Sequence, residues 1–183
     1  MLRTVRFLCL FPLIISSSCA LVRPQPITVA IITKTKSGSI VGSSEINSFE
    51  LYLQRNPNTR IRMRVIDDEW NPVIARREIL RAKAEGVQFF ITSHPSSSAI
   101  ELLDLFEDSS SLGLVTASTT DALSGRDDFL LRVVADVAVE QSAIARHVAA
   151  LSGKRILVVR DTGNDAYTHP ALRTFESTIA ATG

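Results

Sequence analysis

Cysteine, histidine and aromatic residues are scarce in this chain. Its only cysteines, Cys9 and Cys19, both lie in the first nineteen of 183 residues, so no disulfide can cross-link the rest of the chain. The sequence has no GxGxxG, P-loop or HExxH motif, so nucleotide and zinc chemistry lack support and no cofactor is predicted. Aromatic residues make up 6% and hydrophobic residues 45%, which suits an aliphatic α/β interior.

An excess of charge of one sign is also missing. The chain has 20 basic and 19 acidic residues and a formal net charge of +1. Loss of an N-terminal segment containing Arg3 and Arg6 would leave 18 basic residues against 19 acidic ones. This balance does not suit a polyanion, so no nucleic-acid partner is predicted.

The first residues predict export. Arg3 and Arg6 precede the apolar residues 7–15, and small residues follow up to Cys19 and Ala20. A basic start, a short apolar run and a small-residue region are typical of a signal peptide, here residues 1–19. The run is too short to span a bilayer. Two alternatives stay open: lipidation of Cys19, which would anchor the protein to the membrane, or cleavage after Ala20.

The remaining pattern predicts alternating strands and helices. The strands are expected at residues 27–33, 60–67, 87–92, 112–116, 129–134 and 155–160. The helices are expected at residues 44–54, 71–85, 98–107, 137–151 and 170–181. Residues 27–33 and 155–160 are near-continuous apolar runs, typical of strands covered on both faces, whereas residues 60–67 alternate as in an edge strand. Repeated β-α units predict an α/β fold with a doubly wound parallel sheet and helices on both faces.

Hydroxyl-rich loops follow two of these strands. One contains Ser96, Ser97 and Ser98, and the other contains Ser118, Thr119 and Thr120. Hydroxyls and free N–H groups at the carboxyl ends of parallel strands form sites for small polar ligands, anions in particular. The structural alternative for the three serines is a helix N-cap.

The order of these features resembles the type I periplasmic binding proteins of the leucine/isoleucine/valine receptor kind. The resemblance is carried by Asp67-Asp68, Asn71-Pro72, Ser96-Ser97-Ser98, Ala117-Ser118-Thr119-Thr120, Phe129-Leu130-Leu131-Arg132 and Tyr167. It implies a two-lobed clamp that binds a small molecule and delivers it to an ABC permease. Residues 27–135 would form most of lobe one and residues 136–183 the opening part of lobe two, with a hinge near residues 134–136. The chain would then be incomplete, about the first half of a family member.

The resemblance also implies the roles of individual residues. An amino acid or similar ligand would place its carboxylate on the hydroxyls of Ser96 to Ser98 and Ser118 to Thr120, and Tyr167 would close over it from lobe two. Two other roles stay open, an extracellular sensor domain of a signalling receptor and a truncated product without function.

An enzyme is not predicted. His94 lies near the three serines, but no nucleophile elbow is present. The run from Asp67 to Glu69 is interpreted as a solvated strand end rather than a cation site, and no metal site is predicted.

Overall fold

The computed structural model describes residues 25–36, 39–151 and 155–182, so the predicted signal segment 1–19 and Cys19 lie outside the described residues. A parallel sheet with strand order β2-β1-β3-β4-β5 forms the centre. Its strands are β1 (Ile27–Thr33), β2 (Ile61–Asp67), β3 (Phe89–Thr92), β4 (Leu112–Val115) and β5 (Leu130–Arg132). The α-helices are α1 (Ile40–Arg55), α2 (Pro72–Ala84), α3 (Ser96–Ile100), α4 (Val137–Ala149) and α5 (Asp165–Thr182).

The strand positions follow from the apolar pattern. β1 is a near-continuous apolar run and lies between β2 and β3, where both of its edges are hydrogen-bonded. β2 alternates polar and apolar residues and lies at the edge of the sheet, as predicted. The α/β fold class and the parallel sheet are therefore confirmed.

Helix α2 shows the clearest local signals. The Asn71 side chain accepts hydrogen bonds from the backbone N–H of Val73, at 2.9 Å, and of Ile74, and Pro72 occupies the first helical position. Gly86 follows the helix with a φ of 88°, a left-handed conformation that glycine adopts without strain. The predicted start and end of this helix are correct.

Helix α1 begins four residues earlier than predicted. Ser39 acts as its N-cap, because its Oγ accepts a hydrogen bond of 3.2 Å from the N–H of Gly42. A Cβ on Gly42 would lie 2.1 Å from the carbonyl oxygen of Lys34. Glycine is required there because the first turn of α1 lies against the loop that follows β1.

The two faces of the sheet pack against different helices. Ala30, Ile32 and Phe90 lie on the face that contacts α2, in a core cluster that also includes Phe106. Successive strand residues point to opposite faces, so Ile31 faces the α1 side. Helices therefore lie on both faces, as the fold class predicts.

The predicted helix 98–107 was wrong as one element. The structure has the short helix α3 and then a 3₁₀ turn, Leu103–Phe106. Arg76 of α2 donates from Nη2 to the carbonyl oxygen of Glu101, at 2.5 Å, and also binds the Asp104 carboxylate. This contact anchors the end of α3 to α2, and Leu105 and Phe106 then turn into the core.

Two further differences lie near the C-terminus. Residues 155–160 were predicted as a buried strand but are exposed, because no strand of the described residues lies beside them to form a ladder. Helix α5 begins at Asp165 rather than near Pro170, since Asp161 accepts a hydrogen bond of 2.8 Å from the N–H of Gly163 and starts a turn that leads into the helix. Pro170 lies inside α5.

Candidate functional site

The carboxyl ends of the strands form one edge of the sheet, and the chain order reverses there between β1 and β3. Such a switch point is where open parallel sheets bind ligands, because the loops of the two neighbouring strands diverge. The hydroxyls of Thr33 and Ser93, both buried, lie 2.5 Å apart at this point. They join the carboxyl ends of β1 and β3.

The two predicted hydroxyl segments meet at this edge, although Ser96 to Ser98 form the first turn of α3 and not the loop that was predicted for Ser96 and Ser97. Ser118 donates from Oγ to Oγ of Ser96 at 3.1 Å, and both side chains are buried. These two residues hold the start of α3 against the loop after β4. Their hydroxyls are bonded inside the protein, whereas Ser97, Ser98 and Thr119 are only partly buried.

Ser97 is the serine with the most polar contacts to α5 and its preceding turn. Its backbone N–H donates to Oδ1 of Asn164 at 3.1 Å, and its hydroxyl lies 3.3 Å from the same oxygen. The N–H of Ala166 donates to Oγ of Ser97 at 3.4 Å. Asn164 was not predicted as a site residue, because it ends a turn that leads into α5 and no local pattern marks its contact with a residue 67 positions away.

Ser98 points toward another loop. Its Oγ donates to the carbonyl oxygen of Trp70 at 3.3 Å. Glu69 and Trp70 both have positive φ values, 55° and 58°, a conformation that non-glycine residues rarely adopt. The loop after β2 is thus held in an unusual turn beside the serines.

The backbone carbonyls of both threonines in the second loop accept hydrogen bonds. The carbonyl oxygen of Thr119 accepts from the N–H of Val137 at 2.8 Å, which attaches the loop to α4. Thr120 is buried, and its carbonyl oxygen accepts from Nη1 of Arg132 at 2.7 Å. Of the three predicted residues here, Thr119 has the most accessible side chain.

The predicted hinge region contains an ion pair. Arg132 and Asp136 lie 3.2 Å apart, and Asp136 also caps α4 by accepting from the N–H of Ala138 at 2.7 Å. Partial burial alone would raise the pKa of Asp136, but hydrogen bonds from Ser124, Ala138 and Arg132 outweigh it and lower the pKa. These contacts fix β5, α4 and the second loop to one another.

Tyr167 lies on the first turn of α5, not in the predicted loop. It lines a cavity of about 300 Å³ between α4, α5 and residues 156–160. Burial, together with the negative charge of Glu140, raises the pKa of Tyr167. The preceding residue, Ala166, donates its N–H to Ser97, so Tyr167 is next in sequence to a residue that contacts the start of α3.

A buried acid-base pair lies behind the site. Nε2 of His94 contacts Oδ2 of Asp68, and both side chains are fully buried. The interpretation of Asp68 as part of a solvated strand end is therefore wrong. Nδ1 of His94 is buried without a hydrogen-bond partner among the described residues, so the described serines do not form a nucleophile-base pair with it.

Asp67, next to this pair, binds the loop after β1. Its carboxylate accepts from Oγ1 of Thr35 at 2.6 Å and lies 3.5 Å from Nζ of Lys36. Partial burial would raise its pKa, but the hydrogen bonds from Thr35 and the N–H of Glu69, with the Lys36 charge, lower it. Across the described part of the chain, no three His, Cys, Asp or Glu side chains are grouped to hold a metal ion.

Comparison with solved structures identifies the fold. The solute-binding protein of an ABC transporter from Rhodopseudomonas palustris, in complex with 3,4-dihydroxybenzoic acid, superposes with a TM-score of 0.77 and 18% identity over 86% of this chain and 44% of its own. A leucine-binding protein from Thermotoga maritima gives 0.74 and 20% over 86% and 46%. A leucine-, isoleucine-, valine-, threonine- and alanine-binding protein from Brucella ovis gives 0.65 and 17% over 87% and 45%.

The chain therefore has the fold of the type I periplasmic solute-binding proteins of ABC transporters, as predicted. Among them it is similar to leucine-binding proteins, and it spans less than half the length of the three structures described. All three neighbours are named as binding proteins for small solutes. No family model matches the sequence, and a comparison with curated proteins found no match. None of the described helices is both long and apolar enough to cross a bilayer.

Proposed function

We propose that this chain is part of an exported solute-binding protein that binds a small carboxylate-bearing molecule, such as an amino acid, for an ABC permease. The observation that carries the proposal is the contact between Ser96 and Ser118, which brings the start of α3 and the loop after β4 together at the carboxyl edge of the sheet, beside its switch point. Ser97, Ser98 and Thr119 remain partly accessible beside it.

The chemistry of these groups suits a carboxylate. Hydroxyls and backbone N–H groups donate hydrogen bonds that strengthen when the acceptor is charged. The Ser97 N–H already donates to one oxygen acceptor, the side-chain amide oxygen Oδ1 of Asn164. A carboxylate oxygen is an acceptor of the same size and geometry. The names of the solved neighbours, which include 3,4-dihydroxybenzoic acid and leucine, support the same ligand class for this chain.

The roles of the two lobes follow the same proposal. Residues 27–135 form the lobe that binds first, and residues 136–183 belong to a second lobe that closes by a hinge near residues 134–136. Tyr167 covers the ligand from that second lobe. Residues 1–19 direct the protein to the periplasm, either as a cleaved signal peptide or with a lipid on Cys19.

Isothermal titration calorimetry tests the site with 3,4-dihydroxybenzoate and L-leucine as probes. We expect the full chain to bind at least one of them, and Ser97→Ala combined with Thr119→Ala to weaken binding by at least about tenfold, since each lost bond to a charged group is worth about 1.5–3 kcal/mol. Ser177→Ala, on the exposed surface of α5, serves as the matched control and should bind like the unaltered chain. Equal affinity in all three proteins would contradict the site, and no binding of either probe would contradict the ligand class.

A further inference from the structure

Lys34 is the first residue after β1, at the carboxyl edge of the sheet. Thr33, the residue before it, ends β1 at the switch point, where its hydroxyl meets that of Ser93. The carbonyl oxygen of Lys34 lies against the first turn of α1, so close to Gly42 that no larger residue fits there. The backbone that carries this lysine is therefore fixed beside the candidate site.

The ammonium group of Lys34 lies over an aromatic ring. Its Nζ is 5.8 Å from the centroid of the Trp70 ring, within the range of a cation–π interaction. The backbone of Trp70 is fixed on both sides, because its N–H donates to Oδ1 of Asp68 at 3.1 Å and its carbonyl oxygen accepts from Oγ of Ser98 at 3.3 Å. Trp70 thus contacts both Lys34 and the start of α3, which carries hydroxyls of the candidate site.

The acids at the end of β2 bind other groups. Oδ2 of Asp67 lies 3.5 Å from Nζ of Lys36, and Asp68 is fully buried against a histidine. In the part of the chain that the structure describes, no carboxylate forms an ion pair with Lys34. The Trp70 ring holds its charge instead, and a ligand carboxylate would replace that contact by a stronger, charge-assisted hydrogen bond.

We propose that Lys34 binds a second negative group of the ligand, so that the ligand is an acid with two carboxylates, such as an acidic amino acid. This inference rests on the proposed function, in which the first carboxylate binds at Ser97 and Thr119. Lys34 then leaves the Trp70 ring and donates to the second carboxylate. A neutral amide of the same size accepts a weaker hydrogen bond, so Lys34 determines the charge of the side chain that is bound.

L-Glutamate and L-glutamine test this role, because they are similar in size and differ by one carboxylate. In isothermal titration calorimetry, the full chain should bind L-glutamate at least about tenfold more tightly than L-glutamine, the value of one hydrogen bond to a charged group. Lys34→Met keeps a side chain of similar length without the charge and should remove this preference, whereas Lys34→Arg should keep it. Lys36→Met is the matched control, because it removes a charge that is paired with Asp67, and it should keep the preference.

The single tryptophan of the chain gives a second readout that needs no variant. Saturating L-glutamate should change the fluorescence emission of Trp70 more than saturating L-glutamine does, because only the charged ligand draws the ammonium group of Lys34 off the ring. Equal emission changes with both ligands, or a preference for L-glutamate that Lys34→Met retains, would overturn the role of Lys34.

The variant Ser97→Ala/Thr119→Ala separates this role from the proposed function. If L-leucine, L-glutamate and L-glutamine bind equally well and the double variant weakens all three, only the role of Lys34 is wrong. If the double variant binds L-glutamate as tightly as the unaltered chain, the proposed site is wrong. The absence of binding by any of the three amino acids would overturn both.

Discussion

Phe89 and Phe90 are neighbours in one strand, but they lie on faces of the sheet that are packed very differently. Phe90 is 1% exposed and meets Phe106 edge-on, with ring centroids 5.8 Å apart. Phe89 is 37% exposed. Helix α2 and the turn after α3 cover the Phe90 face, whereas on the other face α1 leaves a groove of about 800 Å³ over Ile31, Ile91 and Leu114. Stability should therefore depend mainly on the Phe90 face.

The largest expected difference is between the two phenylalanines. Phe90→Ala should lower the free energy of unfolding by about 3–5 kcal/mol, because it leaves a cavity in a closed core. Phe89→Ala should cost only about 1 kcal/mol, since its ring keeps much of its contact with water when folded. Urea unfolding measures both, and equal losses would mean that the two faces are equally packed.

Gly113 tests how tightly the Phe90 face is packed. A Cβ at this position would lie 2.5 Å from Cδ1 of Leu130 and 3.0 Å from the Phe106 ring. Gly113→Ala should therefore cost about 1–3 kcal/mol through overpacking. Adding Leu130→Val, which shortens the contacting side chain, should reduce the penalty of the alanine. If the double variant shows no coupling in urea unfolding, the clash is not the cause.

The opposite change should help on the α1 side. Ser48 lines the groove, and Ser48→Leu adds an apolar side chain where there is room, so the free energy of unfolding should rise by about 0.5–1 kcal/mol. Ser43→Leu makes the same change in helix propensity on an exposed position of α1 outside the groove. Thermal unfolding compares the two. An equal rise in both would assign the gain to helix propensity and not to the groove.

The smallest effect concerns the loss of stability at low pH, through Asp136 at the start of α4. The folded pKa of Asp136 lies below its usual value of 3.8, so its contribution is present above about pH 4 and is lost as the pH falls through the folded pKa. Asp136→Asn should lower the free energy of unfolding by less than about 1 kcal/mol at pH 7. Its free energy of unfolding should also fall less steeply than that of the unaltered protein as the pH is lowered. Asp127→Asn, on an exposed loop, is the control. Parallel stability curves for the two variants between pH 3 and 7 would contradict this assignment.

Elements with strong local signals could be predicted from the sequence. The Asn71-Pro72 start and Gly86 end of α2 depend on side chains within the helix ends, and the edge position of β2 follows from its alternation. Elements that depend on distant partners could not. The fate of residues 155–160 depends on a neighbouring strand, and the break after α3 depends on Arg76 of another helix.

The candidate site divides in the same way. Neighbouring parallel strands end at one edge, so the meeting of the two hydroxyl loops could be predicted, and Ser96 and Ser118 do meet there. Tertiary packing decides which hydroxyls point inward. The burial of Thr120 and the contact of Asn164 with Ser97 could therefore not be predicted from the sequence. The Asp68–His94 pair joins residues 26 positions apart, and no local pattern marks it.

The contact between Asn164 and Ser97 has a thermodynamic consequence for any molecule that binds at this loop. The Ser97 N–H is already satisfied at 3.1 Å, so a ligand oxygen would act as a competitor of an internal acceptor. Binding would then be an exchange of one hydrogen bond for another, and the gain would come from the charge of the incoming oxygen over the neutral amide. Such a site would select against neutral molecules even where their shape fits.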